Sequence, residues 1–307
     1  MKDRDTEAIK ILNRVSSKEQ ALTDVAAVKL SIAESIQKKK VPVSEIFKPA
    51  LRLVLLIGIV MAIVQQITGI NSVFFYAPMI FEQSGIGVDA SFSQAILVGI
   101  TNLVFTILAI LFIDRFGRKV LLVLGLSGIV LSMFLLSWGF HTATYSISDQ
   151  TIQTLPANID RTKVEQFVGK TYYSDIEFKE EIKQVFGVSE ARVVESDLIT
   201  AATKMNAMLV LIGIIGFVAS FAISIGPVMW VLFSEIFPNY VRGIAISFVG
   251  FINSGVSFLV QLVFPWELST LGNSLTFLIY GIFAAIGLVI IVFLLPETKN
   301  KSLEELE

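Results

Sequence analysis

Three primary amides, Gln65, Gln66 and Asn71, fall within two helical turns of the stretch "VQQITGINSVFFYAPMIF", which is otherwise apolar enough to lie in hydrocarbon. Thr68 stands among them, and Gly69 and Pro78 weaken the helix that carries them. Such groups must face water or something that replaces water. A primary amide offers two donors and two acceptor lone pairs, so it can bond a hydroxyl in either direction or bridge two neighbouring ones. The fitting ligand is an uncharged polyol. A single amide in a span is also explained as helix–helix glue, worth about 0.6 to 2 kcal/mol. Three amides beside a glycine are more than packing requires.

Further polar groups recur inside apolar runs: Asn102 in "GITNLVF", Asn253 in "GFINSG", and Trp230 after Gly226 and Pro227 in "GPVMW". Asn102 alone is read equally well as glue. The Trp230 plane could cover the C–H face of a sugar ring, or anchor its helix at the membrane interface. No span offers an acid or base to neutralise an ionic substrate, which disfavours a charged one.

The elements that must position these groups are long apolar helices. The chain has 307 residues, 54% hydrophobic and 16% charged, with a mean hydropathy of +0.75. A soluble domain carries about 25% charged residues. A span needs about 20 apolar residues, and six segments qualify: 51–81, 91–113, 119–140, 205–233, 243–264 and 272–295. Continuous apolar runs rule out a β-barrel, whose strands alternate. The expected fold is an all-α membrane protein, a six-helix bundle.

Charge sets the orientation. Seventeen of the 24 Lys and Arg lie in segment 1–52, in "DRFGRK", at Arg242 and in the tail, while "QSGIGVDA" and "PWELSTLGN" hold none. By the positive-inside rule both termini are cytoplasmic, in a multi-pass cell-membrane protein. The remaining seven lie in segment 141–204, long enough to be exempt. The domain plan is therefore a cytoplasmic helical linker (1–50), three spans (51–140), an external insertion (141–204), three more spans (205–295) and a cytoplasmic tail (296–307). The linker reads as an amphipathic helix, with Ala8, Ile9, Leu12 and Val15 at near-helical spacing. In the insertion, "SDIEFKEEIKQVFG" reads as a capped helix ended by Gly187, and "SEARVVESDLITAATK" as a second that runs into the fourth span.

Several function classes drop out. A chain without cysteine has no thiolate nucleophile and no Cys-based metal site, and a net charge of -2 argues against nucleic acid. "VGKT" at 168–171 has Val164 where a phosphate loop needs glycine. The spans hold no paired carboxylates, His cluster or Ser/His pair. The expectation is no enzyme, no catalytic residue, no metal and no cofactor. Two turns carry charge instead: Asp114, Arg115, Gly117, Arg118 and Lys119 in one, Glu235, Pro238 and Arg242 in the other. They are either solvated turns or ion pairs that form in one conformation and break in another.

"QQITGIN", "DRFGRK", "GPVMWVLFSEIFPNYVRG" and the terminal "PETKNKSLEELE" together resemble the sugar porter family of the major facilitator superfamily. The likeness covers nearly all of 1–140 and 205–307, in the order of that family's spans seven to twelve. It implies the C-terminal half of a transporter for a neutral monosaccharide, pentose or hexose, working by alternating access as a proton symporter. The implied binding residues are Gln65, Gln66, Asn71, Asn102, Gly226, Trp230 and Asn253. The implied gates are Phe75 and Tyr76 on one side, and Asp114, Arg115, Gly117, Arg118, Glu235 and Arg242 on the other. Phe75 stands where the family carries tyrosine, and Ser257 where it often carries a second amide. The implied partners are the sugar, the lipid bilayer and a missing N-terminal six-helix half. A non-transporting sugar sensor, or a half-size transporter that pairs with a partner half, is the alternative.

Overall fold

The computed structural model describes Val25 and residues 41–85 and 88–295, so the N-terminal amphipathic helix and the C-terminal tail lie outside the described residues. Residues 43–47, inside the expected linker, form a single 3-10 turn with an ion pair between Lys48 and Glu45. From Pro49 onward the chain is one compact unit.

Among the described residues, six helical stretches are long and apolar enough to cross a membrane. The first is two helices, α1 (Arg52–Ile67) and α2 (Ile70–Gln83). Their junction is Gly69, whose φ of +82° is a left-handed conformation that costs a side-chain-bearing residue energy. Pro78 does not break α2, which continues through it. Two long helices follow, α3 (Val88–Phe116) and α4 (Arg118–His141), separated only by Gly117 at φ +90°. No residue other than glycine takes so sharp a turn at little cost, which is why "DRFGRK" can join two spans with a single residue.

The insertion is more organised than two helices. It contains α5 (Asp149–Thr154), α6 (Arg161–Val164), α7 (Asp175–Phe186) and α8 (Val188–Ala202). Ser148, Asp160 and Ser174 cap the first three by accepting a bond from a first-turn amide. The second expected helix does not run into the fourth span. It stops at Ala202 because β2 (Thr203–Lys204) pairs antiparallel with β1 (Thr144–Tyr145) and draws the neck of the insertion closed. Above that neck sits a private core, with the Phe178 ring 5.7 Å from Tyr145, 5.7 Å from Phe167 and 5.2 Å from Tyr172. Burial pushes the Tyr145 phenol up, with the charge of Asp175 adding to it, so it stays neutral.

The last three spans are α9 (Ala207–Ile223) continued by α10 (Ile225–Ile236), then α11 (Arg242–Thr270), then α12 (Gly272–Leu294). Asn206 caps α9 by accepting from the amide of Met208. α11 runs on through Pro265 to Thr270, so most of "PWELSTLGN", expected as a loop, is helix. The turn shrinks to Leu271, followed by Gly272 at φ +79° as the first residue of α12.

α4 is central, packed against both α9 and α12, while α1 packs on α11 and α2 on α3. Small residues allow the approach. A methyl on Gly125 would collide with Ser224 and one on Gly128 with Ser220, so α4 and the α9–α10 junction touch almost backbone to backbone. In lipid this close contact replaces the hydrophobic drive that packs soluble helices.

Candidate functional site

The amides of separate spans meet at the α1–α2 break. Gln65 and Gln66 end α1, Asn71 begins α2, and Asn253 and Ser257 lie one turn apart on α11. Gln65 Nε2 donates to the carbonyls of Ile225 (3.1 Å) and Gly226 (3.2 Å) at the start of α10. Both carbonyls belong to the first turn of α10, so the bonds join the end of α1 to the start of α10. Gln66 Nε2 donates to Gln65 Oε1 (3.2 Å) and to Asn253 Oδ1 (3.0 Å). Asn253 Nδ2 donates to Gln65 Oε1 (2.8 Å) and to the carbonyl of Ala62 (2.9 Å). Asn71 Nδ2 reaches across the break to Gln66 Oε1 (2.9 Å) and on to Ser257 Oγ (2.8 Å).

One amide escaped the sequence reading. Gln261, a turn beyond Ser257, donates to both Ser257 Oγ (2.9 Å) and its carbonyl (3.1 Å). The signal was present as the i, i+4 spacing Asn253, Ser257, Gln261 along one helix face. Where a second amide is expected at 257, this chain has a hydroxyl with an amide behind it.

Each of the five amide nitrogens therefore donates twice within the protein, which uses all its hydrogens. The oxygens are not balanced. Gln65 Oε1 accepts two bonds, Gln66 and Asn253 one each, and Asn71 Oδ1 and Gln261 Oε1 accept none among the described residues. The cluster is densely hydrogen-bonded, uncharged and rich in free lone pairs.

The other expected residues fall around it at different distances from the network. Trp230, 46% exposed, stands one turn after Gly226 on α10, with its ring edge-on to Phe233 at 5.8 Å. Gly226 contributes its carbonyl, and a side chain there would press on Phe221. Asn102 is half-buried on α3 and makes no side-chain hydrogen bond among the described residues, so it stands outside the network. Phe75 is 71% exposed, whereas Tyr76 packs its ring 5.4 Å from Phe264.

The charged turns meet at the end of the bundle where α4 begins. Arg118 holds Glu235 in a forked pair, Nε to Oε1 (3.0 Å) and Oε2 (3.1 Å) and Nη2 to Oε1 (2.6 Å). Its Nη1 also bonds the carbonyl of Ile113, and Nη2 lies 3.0 Å from the exposed Asp114. This ties α4 to α10. Arg242 does something different: its Nε donates to the carbonyl of Phe237 (3.0 Å), closing the α10–α11 turn, where an acid had been expected as partner. Arg115 is exposed beside Asp114 on the last turn of α3.

The chain matches the family described as "Sugar (and other) transporter" over residues 1–154 and 187–307. It belongs to the sugar porter family of the major facilitator superfamily. The arabinose-proton symporter of Bacillus subtilis is 28% identical over 99% of this chain and 52% of its own length. The D-xylose-proton symporter of Escherichia coli K12 is 31% identical over 83% of this chain and 40% of its own. Among solved structures, the proton:xylose symporter XylE bound to 6-bromo-6-deoxy-D-glucose superposes with a TM-score of 0.62 at 28% identity, covering 97% of this chain and 50% of that one. The chain thus spans about half the length of the curated relatives it matches. The stretch the family match leaves out, residues 155–186, is the part of the insertion that carries α6 and α7.

Proposed function

We propose that this chain is one half of a sugar porter, moving a neutral monosaccharide across the membrane by alternating access with proton symport. The observation that carries it is the imbalance in the amide cluster. With every amide hydrogen engaged and lone pairs open on Gln66, Asn71, Asn253 and Gln261, the site suits a ligand made of hydroxyl donors. The exposed Trp230 plane one turn from Gly226 adds a surface for the ring's C–H face. Two relatives named for sugar-proton symport support the coupling. Asn102, on a different helix, would approach the sugar from the side the network leaves open.

A second six-helix half is the required partner, because one bundle cannot enclose a ring with two faces. The helices that would receive it are the least covered. In the most apolar stretches of α3 and α11 only 22% and 17% of residues are buried, against 61% in the first span. The Arg118–Glu235 pair, with Asp114, Arg115, Gly117 and Arg242 around it, serves as the cytoplasmic gate, and Phe75 and Tyr76 as the outer one. Both termini then lie in the cytoplasm. Single cysteines added to this cysteine-free chain, probed with a membrane-impermeant thiol reagent, test that orientation.

The site itself is tested with O-methyl sugars, which keep each oxygen as an acceptor but remove one donor. In the chain reconstituted with an N-terminal half, methylation of the hydroxyls facing the cluster should weaken binding about tenfold each. Equal affinity for the parent sugar and every methyl ether would overturn the reading.

A further inference from the structure

The α1–α2 break holds Gln66 and Asn71 at hydrogen-bonding distance, so its angle decides whether Asn71 joins the amide cluster. Left to itself, a left-handed glycine is a soft joint. Here it is backed. A methyl on Gly69 would lie 2.8 Å from Cδ1 and 3.0 Å from Cε1 of Tyr280, so the tyrosine ring abuts the glycine and leaves no room for a side chain. Tyr280 comes from α12, is only 4% exposed, and stands edge-on to Phe264 at 5.9 Å. Phe264 in turn contacts Tyr76, two turns into α2. A chain of rings thus runs from the break to the helix beyond it.

Burial alone would be met by phenylalanine at 280. Instead the hydroxyl donates to Glu267 Oε2 at 2.8 Å, a carboxylate one turn from the end of α11. An acid inside a membrane helix is costly and calls for a partner and a role. The bond fixes the ring in its plane and links α12 to α11, and α11 carries Asn253, Ser257 and Gln261. The same pair therefore registers the break against the helix that supplies the other half of the cluster.

We infer that Tyr280 and Glu267 are positioning residues for the sugar site: their hydrogen bond pins the ring that sets the angle of the Gly69 break and so brings Gln66, Asn71 and Asn253 together. Neither bonds the amides of the cluster among the described residues. The inference rests on the sugar-site reading only for its effect on affinity, since the angle itself is a property of the fold.

The experiment uses the absence of native cysteines. Spin labels at Leu56 on α1 and Met79 on α2, both exposed, report the distance across the break in the full chain. Tyr280→Phe and Glu267→Ala should shift and broaden the distance distribution, whereas Glu267→Gln, which still offers an acceptor, should restore the native one. In the complex with an N-terminal half, the first two variants should bind sugar about tenfold more weakly and the third should bind as the native chain does. Lowered melting temperature with an unchanged distribution in Tyr280→Phe and Glu267→Ala would make the pair ordinary packing and overturn the inference. So would a Glu267→Gln variant as perturbed as Glu267→Ala. Should the distance respond as expected while no sugar binds even to the native complex, the sugar reading fails and the positioning stands. If Tyr280→Phe does not fold, Glu267→Ala against Glu267→Gln decides alone.

Discussion

Gln66 bonds three other amides of the cluster, with its nitrogen on Gln65 and Asn253 and its oxygen receiving Asn71. Truncation removes an acceptor that keeps a free lone pair and leaves Asn253 Oδ1 without its donor. We expect Gln66→Ala to weaken sugar binding by about 1 to 3 kcal/mol, read by titration calorimetry on the complex with an N-terminal half. Unchanged affinity across pentoses and hexoses would assign Gln66 to packing. Trp230 sits outside the network, so Trp230→Ala should cost less, about 0.5 to 1.5 kcal/mol, and should leave the preference among O-methyl ethers intact. A change in that preference would show the indole to be part of the polar readout.

Between elements, two contacts hold ends of the bundle in a particular arrangement. At one end the forked Arg118–Glu235 pair joins α4 to α10, while Arg242 closes the α10–α11 turn through a backbone carbonyl. The first is a link between helices that can open; the second is internal to a turn. Arg118→Ala should therefore shift the balance toward the inward-open form, read as increased labelling of cysteines placed on the cytoplasmic side of the cavity. Arg242→Ala should slow net transport with sugar binding largely retained, and equal loss of both in a folded variant would count against a gate. At the other end the insertion grips the bundle. Asp175 Oδ2 accepts from the amide of Asn273 (3.1 Å) and its side chain (3.0 Å), capping α12 from a distant segment, with the buried Lys179 at 3.4 Å. Ser196 and Thr200 of α8 bond Glu82 just before the end of α2. A lost helix cap costs about 1 kcal/mol, and here the loss also strands Lys179. Asp175→Ala should raise amide exchange in Gly272–Thr276 while leaving the α1 amides unchanged, and equal exchange in both regions would deny the cap.

For the whole molecule, one bundle supplies one face of a site and one rigid body. Reconstituted alone, the 307-residue chain should insert yet show no sugar uptake above empty vesicles. Adding an N-terminal six-helix half of a sugar porter as a separate chain should restore uptake, and an imposed proton gradient should then accelerate it. Saturable uptake by the chain alone would point to a homodimer whose two copies face each other across the cavity. The exposed faces of α3 and α11 would be the surface for either partner.

The fold was legible in the sequence because six spans need nothing more than apolar length, and the family's motifs sit in the turns between them. Gln65, Gln66, Asn71 and Asn253 were legible for the same reason: an amide in hydrocarbon demands an explanation wherever its partner lies. What the sequence could not supply was the partner. Gln261 joins the cluster only because Ser257, one turn before it, is bonded by Asn71 of another span, and Asn102 stands outside it although its residue type argues equally for a place within. The insertion's core, its β-ladder and its hold on α12 come from contacts between residues far apart in the chain, such as Asp175 with Asn273. No local pattern of hydropathy encodes these. Likewise Gly69 reads in the sequence as a weak point in one span, but the break there and the Tyr280 ring against it, some two hundred residues away in the chain, appear only in the tertiary structure. Local patterning determined which groups must be satisfied inside the membrane; only the tertiary structure decided by what, and therefore which lone pairs were left open.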